Sequence, residues 1–102
     1  MAKTMFPRLC EPCKIGALEI RNRIVLPPMT TNFADQGFVS ERLKDYYVNR
    51  ARGGVGLIIV EDAIVDYPLG GHTVAPLRID EDGFIPALRS LTEDIKFYGA
   101  KT

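Results

Sequence analysis

Residues 22–32 read NRIVLPPMTTN, an apolar run that ends abruptly at two prolines. Residues 24–26 are types that favour β-strands. Pro27 and Pro28 have no backbone N–H to continue a hydrogen-bond ladder, so the strand must end before them. In an α/β protein, a strand that ends in a stiff polar loop is where a site forms at the carboxyl edge of the sheet. A plain strand and turn fits the same pattern, because one fold hosts many functions.

A second apolar run, GLIIV at residues 56–60, shows no polar alternation. This pattern is typical of a parallel strand that is buried on both faces. The run ends at Glu61 and Asp62. Adjacent strand residues point to opposite faces, so these two carboxylates are not expected to act as one acid–base pair. We expect one of them to line a site and the other to cap a loop.

Two amphipathic helices follow these strands. The first is predicted from an N-cap at Ser40 to Arg52, where Gly53 and Gly54 end it. Its inward face is predicted to consist of Leu43, Tyr46, Tyr47, Arg50 and Ala51. The tyrosine pair is expected to serve the core.

The second helix is predicted over residues 84–98, with Asp82 as a candidate cap and Pro86 in the first turn. Gly99 ends it, and residues 100–102 lead into a next strand. Its apolar face is predicted to consist of Leu88, Leu91, Ile95 and Tyr98.

The remaining segments complete a repeating order of strands and helices. Residues 13–20 alternate as a β-hairpin, and residues 63–81 are predicted to form one long loop. Strands that alternate with helices predict a parallel sheet with right-handed crossovers. Two parallel strands cannot close a barrel or cover both of their faces. This deficit predicts either the front part of a larger domain or a fragment that needs a partner.

Composition excludes several classes of function. The chain has 102 residues, of which 46% are hydrophobic, and its 13 basic residues balance 13 acidic ones. Nucleic-acid binders are usually basic, so no nucleic-acid partner is expected. The apolar runs are far shorter than the roughly 20 residues that span a membrane. Without an apolar signal segment at the N-terminus, we expect a cytoplasmic location.

Cys10, Cys13 and His72 are the remaining candidates for chemistry. Cys10 and Cys13 have C-x-x-C spacing, but no second pair completes a zinc site, so no metal is expected. Pro12 between them and the extended pattern after them favour an ordinary structural role over a redox motif. His72 lies in the long loop, where it is either a substrate-binding or acid group or an ordinary loop residue.

Four motifs together resemble one family. They are EPCKIG at residues 11–16, NRIVLPPMT at 22–30, RGGVGLIIVE at 52–61 and LRID at 77–80. In order and spacing they resemble the N-terminal part of the old yellow enzyme family of NADH:flavin oxidoreductases, closest to the 2,4-dienoyl-CoA reductase and 2-enoate reductase branch. The resemblance covers residues 9–102. It implies an α/β fold, the N-terminal portion of a (β/α)₈ TIM barrel, comprising the bottom hairpin and the first two βα units.

The resemblance also implies roles for residues at the mouth of the barrel. Pro27, Pro28, Met29 and Thr30 would form the first FMN-contacting loop, with the backbone of the last two facing the ring. The Thr30 hydroxyl would donate to a flavin carbonyl and favour the reduced form. Asp62 falls at another FMN contact, where many family members have a small residue. Several members also have a substrate-contacting tyrosine at the position of Asn32, so that role is not expected here.

The implied reaction is hydride transfer from NAD(P)H to FMN and then to an activated alkene, the small-molecule substrate. The family's catalytic and phosphate-binding residues lie on later strands, so no catalytic residue is assigned within residues 1–102. We therefore expect an incomplete FMN-binding barrel domain, and doubtful FMN binding by these residues alone. The alternative is a catalytically inactive fragment that associates with a partner chain, or with itself, through exposed sheet edges.

Overall fold

The computed structural model describes residues 5–71 and 73–102, so His72 lies outside the described residues. Helix α1 (Pro7–Cys10) precedes the hairpin strands β1 (Cys13–Ile15) and β2 (Leu18–Ile20). The hairpin is antiparallel, as predicted, and the side chain of Ile20 at its end is buried.

A parallel sheet follows the hairpin. Strand β3 (Val25–Leu26) pairs in parallel with strand β4 (Leu57–Ile58). The pairing continues beyond both elements, because Gly56 N–H donates to Ile24 O at 2.9 Å and Ile59 N–H donates to Leu26 O at 3.0 Å. Lys101 then adds a third parallel segment beside β4, since Ile58 N–H donates to Lys101 O at 2.8 Å. This isolated bridge agrees with the prediction that residues 100–102 lead into a next strand.

Two helices cover one face of this sheet. Helix α2 (Glu41–Arg52) begins as predicted at Ser40, whose hydroxyl accepts the N–H of Leu43 at 3.0 Å. Its end is also as predicted, because Gly54 adopts a φ of +106°, which disfavours any side chain. Helix α3 (Ile85–Phe97) joins α2 through Lys44, whose Nζ lies 2.8 Å from an Asp94 carboxylate oxygen. The resulting core includes Leu43, Tyr47, Ala51, Ile58, Leu91 and Ile95.

The opposite face of the sheet is open. Leu26 and Ile58 pack in the core beneath the helices. On the other face, Val25 is 41% exposed and Ile59 is 45% exposed. The prediction that residues 56–60 are buried on both faces is therefore wrong for Ile59, because nothing in the described chain covers the second face.

The predicted loop at residues 63–81 contains two short strands, so that prediction is wrong in part. Strand β5 (Ala63–Ile64) pairs in parallel with strand β6 (Leu77–Arg78). The Arg78 guanidinium is paired with Asp80 at 2.7 Å and lies against the rings of Tyr67 and Phe84, at 4.2 and 4.7 Å from their centroids.

Asp82 is not the cap of the second helix. It begins a 3₁₀ turn (Asp82–Phe84), and Phe84 occupies the N-cap position of α3 without a side-chain hydrogen bond. Pro86 lies in the first turn, as predicted. None of the helices in residues 5–71 and 73–102 is long and apolar enough to cross a bilayer.

Arg21 connects the ends of both long helices to the segment between the hairpin and β3. Its guanidinium donates to Tyr98 O at 2.8 Å, to Ala51 O at 2.7 Å and to Val55 O at 2.9 Å. A Cβ at Gly99 would overlap Nη1 of this guanidinium and would displace it, and the φ of +91° independently favours glycine there. Cations are favourable at helix C-termini, where backbone carbonyls lack partners.

We expect Arg21→Met to lower the free energy of unfolding by about 1–2 kcal/mol, because carbonyls at two helix ends lose a charged donor. The measurement is thermal and urea unfolding followed by circular dichroism. Arg23→Met is the matched control, since Arg23 pairs only at the surface with Glu11 at 3.2 Å. Exposed pairs of that kind contribute about 0–1 kcal/mol. Equal losses in the two variants would contradict the assigned role of Arg21.

Candidate functional site

Polar residues follow β3 and β4 at the same edge of the sheet. Parallel pairing places the two carboxyl ends side by side, so the residues after each strand meet. Thr30 Oγ1 donates a hydrogen bond to Asp62 Oδ1. Thr31 Oγ1 donates to Glu61 Oε1 at 2.8 Å. Two consecutive threonines are thus bound to two consecutive carboxylates.

Glu61 is buried, with only 4% of its surface exposed. Besides the Thr31 hydroxyl, its carboxylate accepts the Tyr47 hydroxyl at 3.0 Å and the Thr31 N–H at 3.4 Å. Burying a carboxylate without such donors would be strongly unfavourable. The side chain therefore stabilises the loop after β3 only while helix α2 and that loop both supply donors.

Tyr47 forms two hydrogen bonds with Glu61. Its hydroxyl donates to the carboxylate and also accepts the Glu61 N–H at 2.9 Å. Burial raises the pKa of this hydroxyl above its ordinary value, so it remains a donor across the neutral range. The prediction that Tyr47 lies in the core is confirmed. The hydrogen bonds of its hydroxyl with Glu61 were not predicted. A carboxylate directly after an apolar strand was the available signal, because such a group requires a buried donor.

Asp62 differs from Glu61 in both exposure and partner. Its side chain is exposed and accepts the Thr30 hydroxyl, whereas Glu61 is enclosed with Tyr47. The two carboxylates therefore have separate hydrogen-bond partners, which agrees with the expectation that they point to opposite faces. Glu61 anchors the loop from behind, and Asp62 lies on the accessible side of the sheet edge.

The loop formed by Pro27, Pro28, Met29 and Thr30 is exposed, and Met29 retains 52% of its accessible surface. The N–H groups of Met29 and Thr30 donate to no atom within residues 5–71 and 73–102. An accessible loop with free donors beside the exposed face of Val25 and Ile59 fits a flat, polar-edged ring such as a flavin. The residues assigned from the resemblance therefore lie together at one exposed edge of the sheet.

Asn32 has a different role from the other loop residues. It adopts a positive φ of 59°, and its side-chain carbonyl accepts the Ala75 N–H at 3.2 Å. This bond joins the loop after β3 to the segment that precedes β6. The Asn32 side chain therefore holds the two loops together.

The cysteines lie apart from this edge of the sheet. Neither cysteine forms a disulfide within the described residues, and Cys13 is part-buried with its Sγ 3.9 Å from Asn22 O. Within the described parts of the chain, no group of three His, Cys, Asp or Glu residues is placed to hold a metal ion.

We expect Tyr47→Phe to lower the free energy of unfolding by about 1–3 kcal/mol near pH 7, because Glu61 loses a donor and its N–H loses an acceptor. The cost should shrink above about pH 10, where the unfolded tyrosine ionises before the native one. The wild type then loses stability with rising pH by up to about 1.4 kcal/mol per pH unit through this group, and the variant does not.

The measurement is urea unfolding of wild type and variant from pH 7 to pH 11. Tyr46→Phe is the matched control, because Tyr46 neighbours Tyr47 on α2 and its hydroxyl has no bond to Glu61. A Tyr47→Phe cost that stays constant over this range would rule out the buried hydroxyl as the titrating group.

Comparison with known proteins identifies the chain's relatives. Residues 8–102 match the sequence model of the NADH:flavin oxidoreductase / NADH oxidase family. The chain is 54% identical over 99 residues to the NADH oxidase of Thermoanaerobacter brockii, an alignment that covers 96% of this chain and 15% of that protein. The chain therefore spans about a seventh of this relative.

Solved structures give the same result for the fold. A 2-naphthoyl-CoA reductase in complex with 2-naphthoyl-CoA superposes with a TM-score of 0.90 at 32% identity, over 94% of this chain and 15% of that one. Old yellow enzyme from Pichia sp. AKU4542 superposes with a TM-score of 0.80 at 30% identity, over 91% and 24%. These findings confirm the resemblance of the four motifs and the predicted partial (β/α)₈ barrel. The chain belongs to the NADH:flavin oxidoreductase / NADH oxidase family.

Proposed function

We propose that these residues form the hairpin and the first two βα units of an FMN-dependent NAD(P)H oxidoreductase that reduces activated alkenes. The observation that carries the proposal is the exposed loop of residues 27–30, which lies beside Asp62 at the carboxyl ends of two parallel strands. Ligands of α/β barrels bind at that end of the strands. Membership of a family of flavin oxidoreductases supports FMN as the ligand.

The chain's part in the reaction is to form one side of the cofactor site. FMN, when bound, would supply the hydride chemistry between NAD(P)H and the alkene. Met29 and Thr30 would face the ring through their free N–H groups. Pro27 and Pro28 limit the backbone freedom of this loop, so its donors stay preorganised. Glu61 holds the loop from behind through Thr31.

The substrate class is proposed from one relative. The solved 2-naphthoyl-CoA reductase is in complex with 2-naphthoyl-CoA, a thioester whose carbonyl is conjugated to an aromatic ring. A small molecule of that electronic type, an alkene conjugated to a carbonyl, is the proposed substrate here. The groups that would bind this carbonyl belong, by the resemblance, to later strands of the barrel.

One observation favours the alternative of a non-enzymatic fragment that associates with a partner. Val25 and Ile59 form an exposed apolar sheet face, and such a face favours association. In the proposed enzyme the same face is covered by the remaining strands of the barrel. Flavin binding by the full-length protein distinguishes the two functions, because an inactive protein that acts by association would carry no cofactor.

We expect the full-length protein to purify with FMN at about one equivalent, and residues 1–102 alone to retain none, because the phosphate-binding loops implied by the resemblance lie beyond them. The measurement is flavin absorbance and release on denaturation. Full-length protein that neither contains nor binds FMN would refute the proposed function. Tight FMN binding by residues 1–102 alone would refute the placement of the phosphate site.

We also expect Thr30→Trp in the full-length protein to reduce FMN affinity by at least tenfold, because the bulky side chain would obstruct the proposed bed. The matched control is Thr92→Trp on α3, where Thr92 bonds within its own helix to Arg89 O. Fluorescence titration of the apoprotein measures both affinities. Equal affinity in the two variants would place the cofactor elsewhere.

A further inference from the structure

We propose that Asp62 holds the proton of the Thr30 hydroxyl, so that Thr30 presents lone pairs rather than a proton to the flavin and the reduction potential of bound FMN is lowered. This inference rests on the proposed function, because it concerns the same site. It departs from the role implied by the resemblance, in which Thr30 donates to a flavin carbonyl.

The Thr30 hydroxyl and the Asp62 carboxylate differ in the hydrogen bonds that they can form. A threonine hydroxyl has one proton and two lone pairs, and an ionised carboxylate is an acceptor only. In the structure that single proton is donated from Thr30 Oγ1 to Asp62 Oδ1. While this bond persists, Thr30 has no proton left for a second acceptor.

The proton of Thr30 has two possible acceptors in the proposed site, the Asp62 carboxylate and a carbonyl of the flavin ring. Hydrogen bonds to a charged acceptor are roughly twice as strong as those between neutral groups. Asp62 forms no ion pair with any Lys or Arg in the described parts of the chain, so no cation competes for its oxygen atoms. A neutral ring carbonyl is therefore the weaker competitor for the Thr30 proton.

Glu61 restrains the loop that carries Thr30. The next residue, Thr31, is bonded to buried Glu61 through both its N–H and its hydroxyl. These two hydrogen bonds to Glu61 hold Thr31 in place and so restrain the position of the adjacent Thr30. The Thr30–Asp62 bond therefore follows from the strand register and does not require the loop to move.

Both effects of Asp62 act on the flavin in the same direction. A proton donated to a ring carbonyl favours the electron-rich reduced form, and Asp62 removes that donor. A carboxylate beside the ring also opposes the negative charge that accumulates on reduction. Asp62 therefore makes bound FMN harder to reduce than an uncharged small residue at this position would.

The test measures the midpoint potential of FMN in the full-length protein by spectroelectrochemical titration of the flavin absorbance. Asp62→Asn keeps an acceptor for Thr30 and removes the charge, whereas Asp62→Ala removes both. We expect the potential to rise in the order wild type, Asp62→Asn, Asp62→Ala. Asp45→Asn, on the exposed side of α2, is the charge-removal control and should leave the potential unchanged.

The role of the proton is isolated by Thr30→Val in two backgrounds. In the wild type this change should alter the potential little, because the hydroxyl proton is already bound to Asp62. In Asp62→Ala it should lower the potential, because there the released hydroxyl donates to the ring. An equal drop in both backgrounds, or no rise on Asp62→Ala, would overturn the inference while leaving FMN binding intact.

A measurement that needs no cofactor tests the underlying bond. Thermal unfolding of wild type, Thr30→Val, Asp62→Ala and the double variant forms a cycle. We expect the two single effects to be non-additive, because each removes the same hydrogen bond. Additive effects would overturn the inference even if the full-length protein bound no FMN, and absence of FMN with a non-additive cycle would refute only the proposed function.

Discussion

The buried carboxylate of Glu61 is the constraint on which the carboxyl edge of this sheet depends. A charge at this depth is tolerated only if donors surround it, and those donors come from two different segments, the loop after β3 and helix α2. Displacement of either segment would remove at least one of these donors from the carboxylate. The cost of that loss holds the loop in one position relative to the helix, which is what a preorganised binding site requires.

The two faces of the strands divide the tasks of stability and binding. Leu26 and Ile58 pack beneath α2 and α3, and this packing supplies the apolar burial that the fold requires. Val25 and Ile59 point the other way and remain exposed. Because the period of a strand is two residues, each element contributes to both layers at once. The open layer lies below the exposed loop of residues 27–30, where the flavin is proposed.

Much of this architecture could be predicted from sequence because the signals are local. A serine cap, a glycine stop and a proline in a first turn act through the backbone within a few residues, and each was found where predicted. Strands β5 and β6 were missed because two residues are too few to show a period. Asp82 failed as a cap because a 3₁₀ turn precedes the helix and moves the N-cap to Phe84. The Tyr47–Glu61 pair spans helix and sheet, and only the tertiary fold brings its members together.

Glu61 and Asp62 are adjacent in the sequence, yet substitutions at the two positions are expected to have very different effects on the structure. Position 61 is tied to the core, so a change there costs burial, hydrogen bonds and loop geometry together. Position 62 is exposed and, within residues 5–71 and 73–102, is hydrogen-bonded only to Thr30, so a change there leaves the core intact. The fold therefore separates Glu61, which fixes where the loop of residues 27–30 lies, from Asp62, which is proposed to adjust how that loop would interact with FMN. The electronic properties of the proposed flavin site can thus vary through one surface side chain, because the adjacent side chain already holds the loop in place.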